Sequence, residues 1–284
     1  MKQSVLSKFT NQELEELAKE KTLKEIGQMC GLNYQAVSDY FKKNEIKYKR
    51  LYKNRYEINH HYFDEIDTEE KAYLLGFFIA DGCVKKVQYK HKFSYRMSLD
   101  NTIKDAEIMQ VFHDRICPQT KMHWKHVGEN TNPQYTVQWN SDHMGEVLIN
   151  KYKITCRKTH DKDFKLPDDA VPEHLWRHFI RGFMDGDGHV SWRILQFVFT
   201  SYPFLLQVMN TFRNFNYRIV TIKGKTLTYW RVELSFSENK REAIKRFLYD
   251  DATIYLKRKL DSLNTEISWS LNNRVLEIVE HRAE

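Results

Sequence analysis

The chain has 284 residues and a mass of 34.3 kDa, a length that fits two domains or one domain with an appendage. Hydrophobic residues make up 41% and aromatics 14%, which excludes global disorder. The 45 lysines and arginines against 38 acids leave a formal charge of +7, which points to a polyanionic partner. The strongest apolar run, Tyr73 to Ala80, is far shorter than the roughly 20 residues of a membrane span, and the first residues hold no apolar signal core. The expectation is a soluble protein of the cell interior, cytoplasmic or nucleoid-associated, with an organelle also open and no membrane partner.

The four cysteines, Cys30, Cys83, Cys117 and Cys156, form no CxxC pair, against both a disulfide framework and a zinc ribbon. His174 and His178 share a helical face but lack the glutamate of an HExxH site, so they read as a partly exposed pair rather than a zinc site.

In chain order, the first 45 residues predict three short helices. Thr10 caps a helix over NQELEELAKEK, Thr22 caps a second over LKEIGQMC, and Asn33 caps a third over YQAVSDYFKK, with Gly31 at the turn between the last two. Leu14, Leu17, Ile26, Met29, Leu32, Val37 and Phe41 are spaced to share one small core. Ile26, Gly31, Leu32 and Val37 stand where a helix-turn-helix needs its packing residues and turn. The third helix then presents Asn33, Tyr34, Gln35, Ser38 and Lys42, residue types that read base edges and phosphates. A plain three-helix packing unit is the alternative. Residues 46–66 read as a basic linker, in which Lys49 and Arg50 belong to a run interleaved with tyrosines; it is either a solvated tether or one that follows a nucleic-acid backbone.

A repeat of about a hundred residues fills the remainder. LLGFFIADG, Leu74 to Gly82, matches IRGFMDGDG, Ile180 to Gly188. Asp67 and Glu70 are placed as a capping box before the first copy, and Pro172 in the first turn of the second. After each copy the pattern runs hairpin, helix, hairpin, helix: 83–99, 102–116, 120–140 and 142–151, then 189–200, 203–215, 218–236 and 238–249, with a helical tail from Thr253. The expected class is α+β: two pseudo-symmetric αββαββα halves with antiparallel sheets, 67–165 and 166–284, behind a small all-α domain at 1–45.

Gly76 and Ala80, like Gly182 and Gly186, put small residues one helical turn apart, the steric condition for two helix backbones to approach closely. Each helix then ends in an acid and a glycine, Asp81-Gly82 and Asp187-Gly188. A carboxylate there faces the negative end of the helix dipole, and parallel packing would bring two such charges together. A divalent cation removes both penalties, and hard oxygen ligands suit Mg2+, with Ca2+ or Mn2+ able to substitute. The expected metal site is Asp81 and Asp187 with the adjoining Gly82 and Gly188.

These residues resemble the paired LAGLIDADG motifs of homing endonucleases in their single-chain, two-motif form, and the likeness runs over residues 67–284. It implies that the motif helices form the interface between the halves, beneath saddle-like sheets, and that Asp81 and Asp187 bind metal and cut the two DNA strands. In the second motif the acid two residues earlier is Asp185; in the first that position is Ile79. The family also places a basic residue near each active site. The parallel Arg-Lys pairs select Lys158 and Lys259, with ordinary solvent-facing lysines the alternative.

Alternation in the strands predicts polar faces that suit double-stranded DNA. The first half offers Lys85, Ser94, Arg96, Ser98, Lys121, His123, Lys125, Gln134, Thr136 and Gln138. The second offers His189, Ser191, Arg193, Tyr229, Arg231 and Glu233. With these faces, the resemblance implies a monomeric, metal-dependent endonuclease that cuts both strands of a long DNA site, as in intron homing, with a free-standing gene also open. A non-cleaving DNA-binding regulator on the same scaffold and an RNA maturase are the other readings.

Overall fold

Residues 5–48, 56–89, 92–125, 133–191, 193–224, 226–235 and 237–264 are described by a computed structural model, which divides into two units, Met1–Glu57 and Ile58–Glu284. In the first unit the caps stand where the sequence puts them. Helix α1 (Asn11–Glu20) and helix α2 (Leu23–Met29) each open with a capping box, Thr10 with Glu13 and Thr22 with Glu25. Helix α3 (Tyr34–Lys43) opens with Asn33, whose Oδ1 accepts the Ala36 amide at 2.8 Å. Gly31, at φ +67°, takes the left-handed turn between α2 and α3, a conformation glycine adopts without a Cβ penalty.

The core of this unit is Leu6, Leu14, Ala18, Leu23, Ile26, Val37, Phe41 and Ile46. Two expectations fail here. Met29 is 60% exposed, because the inward stripe of α2 runs through Leu23, Ile26, Gly27 and Cys30. Ser38 is buried beside Val37 and Phe41, on the inward stripe of α3, and presents nothing outward. The linker expectation for 46–66 applies to neither end. Ile46 closes the first core, whereas Tyr62, Phe63 and Ile66 belong to the core of the second unit. Lys49 and Arg50 lie outside the described residues.

The second unit repeats one pattern. Helix α4 (Glu69–Asp81) leads to strands β1 (Gly82–Tyr89) and β2 (Lys92–Thr102), helix α5 (Ala106–Ile116), strands β3 (His123–Lys125) and β4 (Gln134–Asn140), and helix α6 (Asp142–Asn150). Helix α7 (Trp176–Asp187) then leads to β5 (Gly188–Val190), β6 (Ile194–Phe199), α8 (Tyr202–Asn210), β7 (Tyr217–Lys223), β8 (Thr228–Ser235) and α9 (Glu238–Tyr249), and α10 (Lys257–Asn264) follows. The sheets have the same antiparallel order, β1-β2-β4-β3 and β5-β6-β8-β7. The architecture is therefore α+β, αββαββα twice. Near the expected join of the halves, Phe164 stacks 5.1 Å from Phe204 and the Leu166 amide donates to Gln207 Oε1 at 3.2 Å, so both residues attach to the second half.

Local starts differ from expectation where side chains find better partners. Thr68, not Asp67, caps α4, accepting the Lys71 amide; Asp67 pairs with the Lys71 ammonium at 2.9 Å. Glu70 instead accepts from Arg115 Nε and from the Tyr62 hydroxyl, both at 2.8 Å. Pro172 precedes a 3-10 turn, Glu173–Leu175, and α7 starts only at Trp176. Strand β2 continues to Thr102, so α5 starts at Ala106, and α8 stops at Asn210. Of the helical tail, α10 is described to Asn264 and the rest lies outside the described residues.

α4 and α7 pack in parallel, with their small residues at the contact. A Cβ on Gly76 would collide with the Phe179 carbonyl and sit 2.8 Å from the Phe183 amide; one on Gly182 would collide with the Tyr73 carbonyl and sit 3.0 Å from the Phe77 amide. Leu74, Leu75, Phe77, Phe78 and Ile79 on α4, and Phe179, Ile180, Phe183 and Met184 on α7, are buried around this crossing.

Candidate active site

The parallel register carries both helices to a common end. A Cβ on Gly186 would strike Ala80 and lie 3.1 Å from Asp81 Oδ2, so the Asp81 carboxylate sits over the last turn of α7, which ends at Asp187. Burial, and after it the Asp187 charge, push the Asp81 carboxyl up to about 7. Burial raises Asp187 as well.

Two lysines meet this pair. Lys158 Nζ donates to the Phe78 carbonyl at 3.2 Å, to Ala80 at 2.6 Å, and to Ile79, three carbonyls of the last turn of α4. Lys259 Nζ donates to the Met184 carbonyl at 3.4 Å and to that of Gly188, at the end of α7. Each ammonium thus caps the motif helix of its own half, the favourable charge for a helix C-terminus. Burial lowers both; Lys158 falls to about 8, with Asp187 and Asp81 holding it up. This changes the sequence argument. The adverse dipole at each aspartate is offset by a lysine before any metal is considered, yet Asp81 stays near 7 with both lysines in place. Burial and the Asp187 charge outweigh the lysines there, and two carboxylates brought to one end of the helix pair offer the hard oxygen donors that suit a divalent cation.

The carbonyl of Gly188, expected to adjoin the metal, accepts from Lys259. Gly82 has a different constraint: a Cβ there would run into the Phe78 ring.

Several residues that sequence reasoning missed complete the site. Asn101, on β2, donates from Nδ2 to Asp81 Oδ2 at 2.9 Å, its own Oδ1 held by the Thr102 amide at 2.7 Å. Asp105, 3% exposed, takes Arg258 in a two-pronged pair at 2.6 and 2.8 Å, tying α10 to the first half. Asp185 is fully buried; its Oδ2 accepts the Tyr73 hydroxyl and the Leu256 amide, each at 2.7 Å, while Oδ1 has no hydrogen-bond partner among the described residues. Burial pushes Asp185 up to about 6 against those bonds. It joins α7 to α4 and to the backbone just ahead of Lys259. The contrast of Asp185 with Ile79 was visible in the sequence; its partners, more than seventy positions away along the chain, were not.

Arg181 is buried too, donating to the Ile254 carbonyl at 2.9 Å, the Leu248 carbonyl at 2.6 Å and Glu69 Oε1 at 2.6 Å. His178, expected to be partly exposed, is 6% exposed and lies 3.0 Å from the same guanidinium; burial and Arg181 lower it to about 4. A neutral His178 therefore accepts from Arg181.

Register aligns the polar face of the first sheet. Lys85 lies opposite Arg96, Arg96 opposite Asn140, Ser98 opposite Gln138, and His123 opposite Thr136, with Ser94 two residues along β2. Lys125 occupies the strand position opposite Gln134, and Lys121 lies ahead of β3. The second sheet departs further from expectation. His189 is opposite Gln196, but β5 ends at Val190, so Ser191 and Arg193 sit in the turn to β6, where the Ser191 amide bonds the Ile194 carbonyl at 2.9 Å. Arg231 lies between Val198 and Val220, and Tyr229 opposite Ile222. Glu233 is only 5% exposed; it pairs with Arg231 at 2.8 Å and with Arg218, and accepts from Gln196 at 3.1 Å. Its carboxylate is engaged by these neighbours because a buried acid without a cationic partner would be costly. On α3, Gln35 Nε2 bonds Asp39 at 2.9 Å, and Tyr34 and Lys42 are exposed; just ahead of it the Asn33 side-chain oxygen is used as the cap.

No protein-family model matches the chain, and no curated protein matches it. Solved structures do. The chain is similar to I-DmoI in complex with DNA and Ca, at 18% identity and TM-score 0.47, over 70% of this chain and 99% of that one. It is similar to the homing endonuclease I-WcaI bound to its DNA recognition sequence, at 14% identity and TM-score 0.45, over 72% and 92%. A third is I-SmaMI bound to uncleaved DNA target in the presence of calcium ions, at 11% identity and TM-score 0.40, over 65% and 85%.

Proposed function

We propose that the protein is a site-specific DNA endonuclease of the LAGLIDADG homing type, which hydrolyses both strands of a long duplex with a divalent metal. The observation that carries this reading is the convergence of Asp81 and Asp187 at the paired ends of α4 and α7, each helix end capped by a lysine, Lys158 half-buried and Lys259 buried. Asp81 and Asp187 would hold Mg2+ through hard carboxylate oxygens, with Asn101 orienting the Asp81 carboxylate. When bound, the metal polarises a scissile phosphate and makes bound water a better nucleophile. Lys158 and Lys259 keep a positive charge beside that phosphate and stabilise the negative charge that develops on it. The two half-sites, related by the repeat, assign one strand to each.

Duplex DNA is the partner that the polar sheet face of the first half suits best, where Lys85, Arg96, Gln134, Thr136 and Gln138 stand in register. Asn33, Tyr34, Gln35 and Lys42 on α3 would add a second contact, and the tether between the units, including Lys49 and Arg50, would raise its effective concentration. The protein acts as a monomer in this reading, since one chain supplies both halves.

The test selects bound duplexes from a randomised DNA library in Ca2+, then adds Mg2+ and maps cuts, for wild type beside Asp81→Asn and Asp187→Asn. Double-strand cleavage at one position, abolished or reduced to nicking in the variants, is the expected result. Selective binding without cutting by wild type would replace the nuclease with a DNA-binding regulator, and preference for RNA would favour a maturase.

A further inference from the structure

A separate group of metal-ligand side chains stands where the segment ahead of α4 meets the start of α6. His61 Nδ1 lies 2.7 Å from Asp64 Oδ2, and His143 Nε2 lies 2.6 Å from Asp64 Oδ1. The two imidazole centroids are 4.3 Å apart, and one ligand atom from each of the three residues falls within 4.8 Å of the other two. Donors around a tetrahedral ion with bonds of about 2.0–2.2 Å sit roughly 3.3 Å apart, so small side-chain rotations bring the three into coordination.

The backbone carrying them is held in place. The Asn59 amide donates to the Ile116 carbonyl at 2.8 Å, and the Tyr152 hydroxyl donates to the Phe63 carbonyl at 2.8 Å. His60 Nδ1 and Ser141 Oγ are 2.7 Å apart, and Ser141 caps α6, whose first turn carries His143. The ligand side chains themselves face solvent, His61 at 71% and His143 at 43% exposure. A water can therefore complete the shell. Lys151 Nζ bonds the Asp64 backbone carbonyl at 2.5 Å, while the Asp64 carboxylate oxygens face the imidazoles.

We propose that His61, Asp64 and His143 form a second metal site, distinct from Asp81 and Asp187, that takes one Zn2+ through two imidazoles, one carboxylate and a water. Imidazole nitrogen suits Zn2+ better than Mg2+, so the two sites select different ions. Bound there, the ion joins the 58–66 segment to α6 inside the first half. The inference does not rest on the nuclease reading.

Zinc binding by metal-free full-length protein, measured against a chromophoric chelator, tests it. Wild type and Asp81→Asn/Asp187→Asn are expected to bind one equivalent, and His61→Gln/His143→Gln none, with circular dichroism checking that each variant is folded. Asp64→Asn keeps the imidazoles and is expected to weaken binding at least about tenfold. Co2+ in place of Zn2+ should give ligand-field bands without thiolate charge transfer. No bound equivalent in wild type, retention of zinc by the double histidine variant, or thiolate bands from a cysteine site would each overturn the proposal.

Discussion

At Asp81 burial and the neighbouring Asp187 charge act in one direction, raising the carboxyl from an ordinary value near 3.8 to about 7. An unfolded chain loses that proton near pH 4, whereas the folded chain keeps it until about 7. Folded stability therefore falls as pH rises through this window, and the loss is complete above it. Asp81→Asn removes this component, so its urea midpoint relative to wild type, without metal, should climb between pH 5 and pH 8; a constant difference would contradict the burial of Asp81. In the proposed reading a proton competes with the metal for this carboxylate, so Mg2+ affinity should strengthen as pH rises towards about 7. Arg181 is the second residue with large consequences. Glu69→Ala leaves a buried guanidinium without its carboxylate and should cost about 3 kcal/mol in denaturant unfolding. None of these partners is adjacent in sequence, which is why the motif acids were legible and Asn101, Asp105 and the Arg181 cluster were not.

Among elements, the α4–α7 crossing is the most sharply constrained. Glycine to alanine inside a helix would ordinarily gain up to about 1 kcal/mol. Gly76→Ala and Gly182→Ala should instead cost about 3 kcal/mol or more, because the added methyl meets backbone of the opposite helix, which cannot step aside without separating the helices. Thermal unfolding of the two variants beside wild type measures this, and a neutral result would sink the close-packed crossing. Helix starts give a finer contrast. Thr68→Ala should cost about 1 kcal/mol as a lost cap. Asp67→Ala, which breaks only an exposed pair with Lys71, should stay within about 0.5 kcal/mol. From sequence both residues had the right chemistry; only the backbone geometry distinguishes them.

For the whole molecule, the two units have separate cores, one built from Leu14, Ile26, Val37 and Phe41 and one around α4 and α7. Phe41→Ala should cost about 3–5 kcal/mol within the first unit and lower only its transition in calorimetry, leaving that of the second in place. A single transition that shifts as a whole would contradict separate cores. The division falls after Glu57, inside the stretch 46–66 that the sequence reads as linker. Over 58–66 the polar Asn59, His60, His61, Asp64 and Glu65 interrupt the apolar residues, yet Tyr62, Phe63 and Ile66 are buried and Ile58 packs half-buried against the same core.

By itself the sequence determined the repeated αββαββα order, the three N-terminal helices and their caps, and the pairing of two small-residue helices that end in Asp81 and Asp187. The helices and caps follow from periodicity, turn residues and local hydrogen bonds, which act between near neighbours along the chain, and the helix pairing follows from the match between the two copies of the repeat. Only the tertiary structure decided that Lys158 and Lys259 each cap the motif helix of their own half, that Asp185 bonds Tyr73 and Leu256, that Glu233 is sequestered by arginines, and that His61, Asp64 and His143 meet. Apart from the Glu233–Arg231 pair, which lies within one strand, these depend on the distance between separate segments of the chain, and a pattern of residue types carries no measure of that distance.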